Sequence, residues 1–121
     1  MRLTDFNHRI ETDFNAHIAE LRGKKADEYA TDADTLLNFH DGGRFLGELP
    51  SQYLFHLMYK HFGGIKNGVM SDKRDPADWC YEKPGGGEGF KQRLADMKIY
   101  CDLLFACLDE EYEAAAKEVA A

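Results

Sequence analysis

Apolar positions recur at helical spacing in most of this chain. Between residues 4 and 22, Phe6, Ile10, Phe14, Ile18 and Leu21 lie three or four apart, on one face of a helix. Thr4 or Asp5 can cap its start. Asp13, Glu20 and Arg22 fall largely off the stripe, and His17 borders it and is given no role. Gly23 lowers helix preference by about 1 kcal/mol relative to alanine, so a break or kink is expected there. Helix should resume through about Tyr29 and pause near Thr31 and Asp32. Asp32 or Asp34 would cap the next helix, from Ala33 to about Leu46, whose later half Gly42, Gly43 and Gly47 weaken.

Pro50 suits the first turn of a further helix. Leu54, Leu57, Met58, His61, Phe62 and Ile65 form its stripe, with fraying expected at Gly63 and Gly64. From about Lys66 to Gly89 the pattern fails, and Ser71-Asp-Lys-Arg-Asp-Pro76 and Lys83-Pro-Gly-Gly-Gly87 are loop chemistry. A loop of this length inside one domain is usually functional or mobile. Trp79 and Tyr81 are expected to pin its middle to the body, with Gly85 to Gly87 a hinge or spacer. The last stripe is Phe90, Leu94, Met97, Cys101, Leu104, Phe105, Leu108 and Tyr112, in a helix from about Glu88 to Lys117. Ile99 and Leu103 broaden that stripe, which predicts cover on two sides. No segment alternates with period two. The pattern predicts a single all-α domain over residues 1–121, a four- to five-helix bundle with one long loop at about residues 66–89.

Composition narrows the function classes. A chain of 121 residues is enough for one core. Its net charge of −7 disfavours general binding to a nucleic-acid backbone, which needs a basic surface, but allows a small phosphorylated ligand held by a few lysines or a metal. Cys80, Cys101 and Cys107 show no C-x-x-C spacing and fit a reducing compartment. Cys101 and Cys107 fall in an apolar run and are expected to be buried, inert thiols. The start of the chain lacks the apolar core of a signal peptide, and no run is long enough to cross a bilayer. A cytoplasmic location, in the cell or in a host, is the expectation.

Candidate chemistry concentrates at the joint from Lys24 to Phe39, where Glu28, Asp32 and Asp34 gather with Lys25, Tyr29 and Asn38. Asp96 lies between Leu94 and Met97, near the apolar face of the last helix, where a carboxylate needs a partner, a ligand or a cleft. Carboxylates converging from separate helices are what Mg²⁺ takes. An ion pair with Lys60 or a hydrogen bond with Asn38 would serve Asp96 equally well. His61, inside an apolar stripe, reads either as a hydrogen-bonded core residue or as a base, and Lys60 beside it as a phosphate contact or a solvated charge. Tyr29 and Tyr100 could stack on a base or simply fill core. Nucleophilic catalysis by cysteine or serine has no supporting pattern; hydrolysis by metal-activated water is the enzyme class these residues best allow.

Taken in order, Lys25-x-x-Glu28-Tyr29-Ala, Asp34-x-Leu-x-Asn38-Phe39, Lys60-His61 and Leu94-x-Asp96-x-x-x-Tyr100 resemble small phage-type MazG-like proteins, near the all-α nucleoside triphosphate pyrophosphohydrolases. The resemblance covers residues 24–105. It implies a helical bundle, often oligomeric, that binds a nucleotide through Mg²⁺ and cleaves between the α- and β-phosphates. On it, Glu28 and Asp96 are the catalytic acids and Glu28, Asp32, Asp34 and Asp96 the metal ligands, while Lys25, Asn38, Lys60, His61 and Tyr100 contact the substrate. The chain departs from the paired acids of those enzymes, E-x-x-E and E-x-x-D: Lys25 stands three before Glu28, and Arg93 three before Asp96. The expectation is a nucleotide-binding protein and, if active, a Mg²⁺-dependent pyrophosphohydrolase, with a small nucleotide and further copies of itself as partners. The alternative is a non-catalytic helical module that binds a phage or host protein.

Overall fold

The structure, a computed structural model, describes the backbone of residues 1–29 and 35–120 and the side chains of residues 1–24 and 35–120. Helix α1 (Leu3–Arg9), a π-helical turn (Ile10–Phe14) and α2 (Asn15–Tyr29) follow one another without interruption. The break expected at Gly23 does not occur. One glycine costs about 1 kcal/mol, and Ile18 and Leu21 are held against the last helix one turn earlier, which outweighs it. The irregularity sits upstream instead, in the π turn, a local widening of the helix by one residue.

Helix α3 (Leu37–Leu46) starts later than the stripe suggests and ends at Gly47, whose φ of 69° is left-handed and therefore suits glycine. The amide of Glu48 then bonds back to the Gly43 carbonyl at 2.8 Å, closing the turn into α4 (Pro50–Met70). Gly63 and Gly64 do not fray α4, which continues to Met70. Part of the reason is at Gly68: a Cβ there would sit 2.2 Å from the Phe90 ring, so the glycine lets α4 and α5 (Phe90–Ala120) approach closely. The loop is consequently shorter than expected, spanning residues 71–89.

That loop is built from local bonds. Arg74 donates to the Val69 and Ser71 carbonyls, covering the C-terminal end of α4. Asp75 accepts from the Ala77 amide and caps a 3₁₀ turn (Pro76–Asp78). Gly85, Gly86 and Gly87 all have positive φ and form a tight reversal, closed by an isolated bridge between Glu82 and Glu88. Gly89 lies so close to the Cys80 carbonyl that a Cβ would meet it at 1.9 Å.

The result is an all-α bundle with no strand among the described residues. Helices α4 and α5 run antiparallel, as Ser51 meets Glu111 near one end and Gly68 meets Phe90 near the other. Helix α2 runs parallel to α5, with His17 beside Gln92 and Arg22 beside Asp102. As expected, α5 is covered on two sides. On the α3–α4 side Leu36, Phe39, Leu54 and Cys107 form one buried cluster. On the α2 side Ile18, Ala95 and Ile99 form another, and Leu103 touches both.

The apolar stripes overshoot this core. Phe62, Phe105, Leu108 and Tyr112 lie on the surface, as do Phe6, Phe45, Leu46 and Leu49. Cys107 is buried as expected, but Cys101 is exposed, because it faces away from both covering helices. No described helix is long and apolar enough to cross a membrane.

Candidate functional site

Among the described residues Asp96 is the buried carboxylate, only 3% exposed, on the turn of α5 that packs against α2. Its burial follows from position. Ala95 and Ile99 must enter the core, and Asp96, between them in sequence, is carried inward with them. Gln92, one turn earlier on the same face, donates from its side-chain amide to Asp96 Oδ1 at 3.1 Å. The other end of that amide accepts from His17 Nε2 at 2.7 Å. His17 therefore carries its proton on Nε2, and α2 is tied to α5 through the amide to the buried acid.

The relay continues outward. The rings of His17 and Tyr81 stack with centroids 3.7 Å apart. The Tyr81 hydroxyl donates to Asp13 Oδ1 at 2.8 Å, and Lys91 donates to Asp13 Oδ2 at 3.2 Å. These two donors, Tyr81 first, hold the Asp13 carboxyl below its ordinary range. Burial, and then the bond to Asp13, push the Tyr81 hydroxyl up to about 12. Lys91 also lies 5.4 Å from the centres of both the Trp79 and Tyr81 rings. Tyr81 thus pins the loop to the body, as its sequence position suggests, and Trp79 joins through Phe90 and Lys91.

Of the residues proposed from the sequence, two are brought into contact, Tyr100 and His61. Tyr100 follows Asp96 by one turn of α5, and its ring meets that of His61 on α4 at 4.9 Å, inclined by 51°. Lys60, beside His61, is exposed on α4, and Asn38 is exposed on α3. Lys25 and Glu28 fall on side chains outside the described residues, and Asp32 and Asp34 lie outside them altogether. Among the described residues no three His, Cys, Asp or Glu side chains gather to hold a metal ion, so Asp96 alone is too few oxygens for Mg²⁺.

Sequence reasoning missed His17, Gln92 and Asp13. The usable signal was spacing: Asp13 and His17 stand four apart, as do Gln92 and Asp96, which places each pair on one helix face.

A second polar group lies at the opposite end of the α4–α5 pair. Ser51 donates from its amide and its hydroxyl to the two oxygens of Glu111, at 3.0 and 2.5 Å. Beside it opens a groove of about 480 Å³ lined by Glu48, Ser51, Gln52, Phe55, His56, Leu104 and Leu108. His56 bonds Glu48 Oε1 at 3.2 Å, while Glu48 Oε2 is hidden with no hydrogen-bond partner among the described residues. Compared with models of protein families, with curated proteins and with solved structures, this chain finds no match.

Proposed function

We propose that this helical protein binds a small nucleotide beside Asp96, Tyr100 and His61. The observation that carries the reading is the placement of a buried carboxylate one helical turn from a tilted pair of aromatic rings at the α4–α5 seam. Such rings can stack on a base. Exposed Lys60, adjacent to His61, can reach a phosphate as a point charge. The ordered resemblance to MazG-like proteins supports the same ligand class. A bound Mg²⁺ would supply positive charge against the phosphates. Glu28, Asp32 and Asp34 are the further acids that would have to join Asp96 for that, and the reading proposed on the described residues is binding alone.

Thermal shift with a panel of standard and modified nucleotides, with and without Mg²⁺, tests it. A nucleotide that binds only the folded chain raises the melting temperature, and Lys60→Ala should weaken that rise while leaving the unliganded midpoint unchanged. If no nucleotide raises the midpoint in either condition, the reading is wrong. Pyrophosphate release in the Mg²⁺ arm would extend binding to hydrolysis.

A second reading, a protein-interaction module, is favoured by the outer surface of α4 and α5. Phe55, Tyr59 and Phe62 recur at i, i+4 and i+7 on α4, and Phe105 and Tyr112 recur at i and i+7 on α5; all five are more than half exposed. Apolar surface gathered on two adjacent helices marks an interaction site more often than scattered exposed residues do.

A further inference from the structure

We infer that the α4–α5 groove beside Glu48 docks a basic amphipathic segment of another protein, with a lysine or arginine set on Glu48. The inference rests on the interaction-module reading and deepens it by naming the partner's chemistry.

Three features of the groove point to a cation joined to apolar groups. The first is an unmet acceptor. Glu48 Oε2 has no hydrogen-bond donor among the described residues, and a hidden carboxylate oxygen without one is costly. The Glu48 side chain itself lines the groove and is 30% exposed. Its terminal torsion is soft, so a small turn brings that oxygen to an incoming N–H.

The second is charge. Glu48 and Glu111 stand at and behind one wall, and no lysine or arginine lines the groove or pairs with either acid among the described residues. Among the described residues Glu111 is engaged by Ser51 alone, through two neutral donors. A net charge of −7 also attracts a basic partner at longer range.

The third is the apolar floor. Phe55, Leu104 and Leu108 face the groove, and Phe55 belongs to the exposed α4 stripe that continues to Tyr59. A free amine would answer Glu48 but leave that floor wet. A helical segment with leucines flanking one lysine covers both, in the manner of a helix laid into a groove. A second copy of this chain fits less well, because symmetric pairing brings the same acidic wall toward itself.

The test uses the full chain and a labelled synthetic amphipathic helix carrying one lysine between leucines, read by fluorescence anisotropy. A control peptide has that lysine replaced by glutamate. Binding of the lysine peptide should weaken about tenfold or more for the control peptide, and similarly for Glu48→Gln, since a charge-assisted hydrogen bond is lost in each case. Phe55→Ala should weaken both peptides. Circular dichroism confirms that each variant is folded, and the control peptide on the unaltered chain needs no variant at all. If Phe55→Ala reduces binding but the two peptides bind alike, the cationic partner is wrong and the interaction reading survives. If neither peptide binds the unaltered chain, this docking site is wrong. If sedimentation shows a dimer that Phe55→Ala splits and that excludes the peptide, the groove belongs to a second copy and the inference is overturned.

Discussion

The ring of Tyr81 lies flat on the ring of His17, 3.7 Å between centroids and 20° between planes. Sixty-four positions of chain separate them (81 − 17), so this contact closes the loop of residues 71–89 onto α2. Beneath it the Gln92 amide carries the tie to buried Asp96, and above it Asp13 takes the hydroxyl. Removing the ring therefore frees the loop. Tyr81→Ala should cost about 2–4 kcal/mol by urea denaturation, from the lost aromatic stack on His17 and the lost hydroxyl bond to Asp13. Limited proteolysis should cut faster within residues 71–89, and unchanged cleavage there would show that the stack does not hold the loop.

Tyr81→Phe keeps the stack and removes only the hydroxyl bond to Asp13. Asp13 is half exposed, so solvent screens the loss and about 1 kcal/mol or less is expected.

The pH dependence of that bond has a fixed sign. The Tyr81 hydroxyl ordinarily ionises near 10 and in the fold near 12, so its proton is bound more tightly in the native state. The stability it contributes is full below about pH 10 and is lost as pH rises through about 12. Asp13, held below its ordinary value, contributes stability that is present above that value and lost as pH falls through the folded one. The stability difference between the unaltered chain and Tyr81→Phe should therefore be flat through neutral pH and shrink at both extremes. Denaturant melts across the pH range measure it, and a difference that stays constant to the alkaline limit would show that the hydroxyl is not in this bond.

Two helical glycines should respond in opposite directions to alanine. At Gly23 a Cβ meets nothing within 4 Å, so Gly23→Ala should stabilise by roughly 0.5–1 kcal/mol through helix propensity and unfolded-state entropy. At Gly68 the same Cβ would lie 2.2 Å from the Phe90 ring, and overpacking costs about 1–3 kcal/mol. Opposite shifts of the melting temperature are the expected result. A stabilising Gly68→Ala would mean that α4 and α5 do not approach as closely as described.

These glycines also show how far the sequence could be read. Periodicity placed the α-helices of the described residues, because the stripe of Leu54 and Leu57 on α4, and that of Ile18 and Leu21 on α2, record which face meets the core. Helix ends were less legible. Gly63 and Gly64 read as breakers, yet contacts at Gly68 carry α4 on to Met70, and such contacts are not local in sequence. Periodicity equally could not separate a core face from an apolar face left outside, so Phe62 and Phe105 read as core and stand on the surface. In the candidate site, Asp96 was legible because an acid between Leu94 and Met97 breaks the stripe. Its partners were not, because Gln92 and His17 are ordinary helix residues until α2 and α5 are laid side by side.

Ser51 and Glu111, sixty positions apart, make a cap that no local motif announces. Pro50 and Ser51 begin α4, whose first amides have no partner within the helix. Gln52 turns back to accept from the Leu49 amide at 3.0 Å, and Glu111 reaches from α5 to accept from the Ser51 amide and hydroxyl. The carboxylate also faces the positive end of the helix dipole. Ser51 is buried, so its lost hydroxyl leaves a carboxylate oxygen short of a donor and is not replaced freely by water. Ser51→Ala and Glu111→Gln should each cost about 1–2 kcal/mol. Because both changes remove one interaction, the double variant should cost less than the sum of the two, by roughly 0.5 kcal/mol or more in a double-mutant cycle by denaturation. Simple additivity would mean that Glu111 acts on α4 only as a distant charge, and a rise in salt should then erase the Glu111→Gln effect while leaving the Ser51→Ala effect intact.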